Sequence, residues 1–142
     1  MTVVLDDHLL RDWLARRDAP LVEAVADEAT ATTNLWYTRL CKSAVRATGG
    51  ALLEGWDVPE RRALIAGLVA LPRDVAIVPM RDIEWMMGEL VADQRGLSTL
   101  GAEAVAAAAH LDGRLLVSAR DDGPGIRACS AQVGVRYDAL AR

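Results

Sequence analysis

The sequence has no phenylalanine, and only 4% of its residues are aromatic. A core built from it has to be aliphatic. Lys42 is the sole lysine, and every other basic residue is arginine. The net charge is −4, which excludes strong non-specific nucleic-acid affinity, because that affinity rests on neutralising phosphates. A local basic groove stays open. Cysteine is scarce: Cys41 and Cys129 stand far apart, in no metal-ligand spacing, so a reduced, cytoplasmic protein is expected. Long apolar runs are missing too. The longest, LGAEAVAAAAHL, is broken by Glu103 and is too short to span a bilayer. The N-terminus has neither a basic region nor an apolar stretch of the kind a signal peptide needs, so none is expected. There is no GxGxxG and no GK[ST], and Gly123-Pro124-Gly125 is too short to cradle a phosphate. Cys41 has no histidine nearby and no Ser-His-Asp pattern occurs, so covalent catalysis is not expected.

What is present is apolar material, 52% of 142 residues, arranged in alternating short runs. One domain over residues 1–142 follows, large enough for a proper core. Thr2-Val3-Val4-Leu5 reads as a buried strand. A helix follows, with Leu9, Leu10, Trp13 and Leu14 on one side and charges on the other. Residues 20–27 suit a second short helix, and 29–33 a strand, with Asn34 as cap of a helix to about Arg46 that Gly49-Gly50 ends. Asp57-Val58-Pro59-Glu60 starts a helix that Pro72 stops. A strand over 74–79, helices over 83–93 and 100–111, a strand over 115–118, a helix over 124–133 and a strand over 135–137 complete the pattern. Strands separated by helices predict an α/β fold: a three-layer α/β/α sandwich around a mainly parallel sheet of four or five strands.

In such sheets the working site lies at the carboxyl ends of the strands. Asp6-Asp7 and Asp121-Asp122 both follow strands, and both pairs also suit helix starts. Glu103 sits among small residues, where a lone carboxylate costs energy unless something pairs with it. If its helix packs near the strand ends, Glu103 could meet Asp6 and Asp122. Converging carboxylates repel, and Mg²⁺ or Mn²⁺, which prefer hard oxygen ligands, would relieve that. His8 and His110 lie at no ligand spacing, and Met86-Met87 reads as core filling. Trp36-Tyr37 beside Arg39, Lys42 and Arg46 is the one basic-aromatic neighbourhood, of a kind on which bases stack.

The order strand–Asp, helical segments, LSTLGAEAVAAAA, then LLVSARDD resembles the PIN-domain family. The resemblance implies a central parallel sheet and, as in many members, a Mg²⁺- or Mn²⁺-dependent ribonuclease, including the VapC-like toxins of toxin–antitoxin pairs. Its acids fall on Asp6, Glu103 and Asp122, with Asp121 as a further metal ligand. The pattern is degenerate. Arg120 takes one acidic slot, and the family's middle-helix Glu falls near Thr38-Arg39, where there is none. Arg39 and Arg120 could pair with the remaining acids instead of a cation, or, with Lys42, hold RNA phosphates. The chemistry implied is therefore metal-dependent RNA cleavage, or, alternatively, a catalytically degenerate module that binds protein or nucleic acid. The resemblance also implies a homodimer, through an apolar surface on 58–71 and 83–93, and an antitoxin protein as partner. VVLDDHLL also looks like the start of a phosphorylation receiver domain. That reading fails, because no acid ends the strand VAIVP and Lys42 falls in a helix.

Overall fold

The computed structural model describes residues 1–46 and 50–141. Five parallel strands form one sheet: β1 (Thr2–Leu5), β2 (Ala29–Thr32), β3 (Val75–Ile77), β4 (Arg114–Ser118) and β5 (Arg136–Leu140), in the order β3-β2-β1-β4-β5. Seven α-helices cover it: α1 (Asp7–Leu14), α2 (Ala19–Ala24), α3 (Asn34–Ala44), α4 (Val58–Val69), α5 (Glu84–Asp93), α6 (Thr99–His110) and α7 (Pro124–Val133). The protein is the expected three-layer α/β/α sandwich.

Alternation along the central strands builds two cores, because successive side chains leave a strand on opposite faces. Val3 and Leu5 of β1 and Leu116 of β4 pack with Leu9, Leu10, Leu21, Leu40 and Leu64 of the α1–α4 layer. Val4, Leu115 and Val117 face the other way, into Ile83, Met87, Val105 and Ile126 of the α5–α7 layer. All of β4 is buried, as a strand covered on both faces must be. The alanines of α6 are buried almost without exception, so this helix lies closely on the sheet.

Several boundaries differ from the sequence reading. Thr33, not Asn34, caps α3: its hydroxyl accepts the Trp36 amide at 3.1 Å, and Asn34 is already helical. That helix ends at Ala44, before the expected glycine stop; of that pair, Gly49 lies outside the described residues. Strand β5 extends to Leu140, because it pairs with the whole of β4. Where the sequence reading starts a helix at 100, Ser98 caps α6 one residue earlier.

The strand order puts the topological switch between β1 and β4. From β1 the chain steps to β2 and β3 on one side, then returns to lay β4 on the other. In parallel sheets the crevice beyond the carboxyl ends at such a point is the usual place for a ligand. Asp6 leaves β1 there, and Ser118 ends β4 beside it.

Candidate functional site

Asp6 begins α1. Its backbone is extended, and Oδ1 accepts the Leu9 amide at 2.8 Å, a helix cap. Oδ2 turns to β4, where it accepts the Ser118 amide at 2.7 Å and the Ser118 hydroxyl at 2.5 Å. The side chain is fully buried. Burial pushes its carboxyl up to about 6, against the opposing hydrogen bonds from Ser118 and Leu9, and the nearby Asp121 charge adds to the rise.

Asp7, also fully buried, faces α3 instead. Its Oδ2 accepts from Arg39 Nε, and its Oδ1 accepts from Arg39 Nη2 at 2.8 Å. His8 Nδ1 lies 2.9 Å from the same Oδ1. Burial alone would raise this carboxyl; hydrogen bonds and charge from Arg39 and His8 bring it down to about 2. Arg39 Nη2 also donates to Asp121 Oδ2 at 2.6 Å, so one guanidinium spans the acids that follow β1 and β4. Burial raises the Asp121 carboxyl, and the Arg39 charge opposes that rise.

One ligand atom each from Asp6, Asp7, His8 and Asp121 lie within 4.8 Å of one another, close enough to hold a metal ion. Three carboxylates and an imidazole would suit a hard or borderline divalent cation. Two of those donors, however, are already committed to Arg39, and both oxygens of Asp6 are held by amide and hydroxyl donors. As arranged, the cluster does not fit a divalent cation until Arg39 leaves.

Beside the acids runs a cavity of about 400 Å³, lined by His8, Arg39, Lys42, Arg46, Arg120 and Asp121 among others. Lys42, Arg46 and Arg120 are exposed and make no ion pair among the described residues.

The residues singled out in the sequence divide between three places. Asp6 and Asp121 stand in the cluster. Glu103 does not join it. From the buried side of α6 it reaches the start of α3, where Oε2 accepts the Asn34 amide at 2.9 Å and Asn34 Nδ2 at 2.8 Å, and Oε1 accepts the Leu35 amide at 2.8 Å. It is the partner a lone carboxylate needed, supplied by a helix terminus rather than a cation. Asp122 points the other way, to the Tyr137 hydroxyl at 2.6 Å and Arg127 Nη2 at 2.7 and 2.9 Å. Tyr137, followed by Arg127, holds its carboxyl below the usual range. Arg39, Lys42 and Arg120 share the cavity wall. Trp36, in the basic-aromatic stretch, is wholly buried and offers no surface for stacking.

Asp7 joins the cluster as the partner of Asp6 at the strand end that the sequence reading singles out, while His8, read as lying at no ligand spacing, is the member it missed. Both lie in the first turn of α1, next to the Asp6 cap, so adjacency in D-D-H was the available signal. On the outside, Val58, Ile65 and Val69 of α4 and Trp85 and Val91 of α5 are exposed. No helix among the described residues is long and apolar enough to cross a membrane. No family model matches the chain, and no curated protein matches it.

Proposed function

We propose that this chain is a PIN-like domain that binds RNA at the mouth between β1 and β4 as a catalytically degenerate module. The observation carrying the reading is Arg39, whose guanidinium lies across Asp7 and Asp121 in the wall of a cavity with three cations that make no ion pair among the described residues. With Arg39 set across Asp7 and Asp121, part of the acidic charge is offset inside the mouth, and Lys42, Arg46 and Arg120 on its wall are left to attract phosphate. The overall charge of −4 keeps that attraction local.

Fluorescence anisotropy with single-stranded RNA tests it. Binding should weaken with salt at a log–log slope of about −2, for three cations on a single strand. Lys42→Glu with Arg120→Glu should cost about tenfold in affinity. The same RNA should survive incubation with Mg²⁺ or Mn²⁺. Absence of binding at low salt removes the proposal.

One observation favours a second reading, a metal-dependent ribonuclease serving as a toxin restrained by an antitoxin: four ligand atoms do converge. It requires RNA cleavage that depends on Mg²⁺ or Mn²⁺ and is lost in Asp6→Asn. The PIN-like reading also carries a homodimer, which light scattering on the purified chain tests.

A further inference from the structure

We infer that Arg39 is the resident cation of the acidic mouth, and that its charge, not the geometry of the acids, is what keeps divalent metals out. The inference needs no RNA and stands apart from the reading above.

The acids sit where they do for reasons independent of any ligand. Asp6 caps α1 and ties it to Ser118; Asp7 is the next residue; Asp121 follows the turn in which its amide donates to the Ser118 carbonyl at 3.2 Å. Three carboxylates therefore gather whether or not a cation is there, and each is at most a tenth exposed or wholly buried. Such a group has to be neutralised by protons or by positive charge. Arg39 supplies one positive charge, set across Asp7 and Asp121, while Asp6 is held by the Leu9 and Ser118 donors. The guanidinium donates from Nε and Nη2 to both oxygens of Asp7 and again from Nη2 to Asp121, the paired geometry that makes guanidinium–carboxylate contacts strong. A guanidinium cannot lose its proton to escape, and it is tethered, so a metal in solution competes with a partner that is always present.

The tether is itself positioned. Arg39 lies on α3, and the start of α3 is held by the three hydrogen bonds to Glu103. Glu103 is thus a positioning residue for Arg39: the acid on α6 sets the helix that carries the cation to the acids of β1 and β4. His8 stands at the edge, its Nδ1 2.9 Å from Asp7 Oδ1.

The test is Mn²⁺ binding by isothermal titration calorimetry on the full chain, without RNA, for wild type, Arg39→Gln and Arg39→Lys. The wild type and Arg39→Lys should bind Mn²⁺ at least tenfold more weakly than Arg39→Gln. Adding Asp121→Asn to Arg39→Gln should remove the gain. If Arg39→Gln folds only with Mn²⁺ present, judged by circular dichroism, the cation has been replaced and the inference stands. It is overturned if the wild type binds Mn²⁺ as tightly as Arg39→Gln. It is overturned equally if Arg39→Gln folds and binds no Mn²⁺, or stays unfolded in millimolar Mn²⁺.

Discussion

Replacing Glu103 by glutamine exchanges one carboxylate oxygen for an NH₂ group and should cost the protein at least about 3 kcal/mol. The carboxylate accepts three hydrogen bonds, two on Oε2 and one on Oε1, at 2.8 to 2.9 Å, and it is fully buried. A glutamine offers one carbonyl oxygen in their place. Its best orientation keeps that oxygen on the Asn34 donors and turns its own NH₂ toward the Leu35 amide. One charge-assisted bond is then lost, and a donor is left facing a donor, at about 1.5–3 kcal/mol. The two surviving bonds fall from charged to neutral strength, about 0.5 kcal/mol each, and the terminus of α3 loses a favourable negative charge worth a similar amount. Urea unfolding in EDTA measures the sum. With a slope of about 2 kcal/mol per molar, the midpoint should fall by about 1.5 M. A loss below about 1 kcal/mol refutes the reasoning. So does a loss that shows only when Mn²⁺ is present, because Glu103 would then serve a metal and not a helix.

Four further outcomes follow from contacts elsewhere in the structure. Asp6 titrates near 6 when folded and near 3.8 when free, so between these values the folded chain holds a proton the unfolded chain has lost. Stability should therefore fall as pH rises from about 4 to 6, and Asp6→Asn should flatten that slope in denaturation curves taken across the range. Asp7 acts oppositely and lower: its depressed carboxyl adds stability that disappears as pH falls below about 4 toward 2. Arg114 is buried and joins Glu28, through Nε and Nη2, to Asp138 at 3.2 Å; Arg114→Met should cost about 2–3 kcal/mol, the low side for a broken buried pair because Glu28 keeps some water. A Cβ on Gly113 would overlap the Thr2 carbonyl oxygen, so Gly113→Ala should lower the melting temperature by several degrees in a thermal melt followed by circular dichroism.

The layers were legible in the sequence because their signals are local. Apolar triplets such as Val3-Val4-Leu5 before Asp6, and helix starts such as Asp57 with Pro59 and Glu60, announce strands and helices within a few residues; Asp57 caps α4 as read, and Glu60 closes the cap into a capping box. The site was legible only in part. Asp6 and Asp121 could be placed because strand ends converge at the switch point. The partners of Glu103 and Asp122 could not, since they depend on the depth of α6 against the sheet and on β5 running to Leu140, which brings Tyr137 to Asp122. A carboxylate that needs a partner looks the same in sequence whether the partner is a cation, an arginine or the amides of another helix. The pairing of arginine with these acids, one of two outcomes weighed from sequence, is what Arg39 does; Arg120 stays at the cavity wall without an ion pair among the described residues.

β1, the middle strand of the sheet, comes before each of the other four strands along the chain, and Asp6 waits 112 positions for its hydroxyl partner on β4. Three strands can assemble before residue 80 is made, with one flank of β1 bare. A nascent chain at that stage offers an open ladder of amides and carbonyls to any neighbour that carries the same edge.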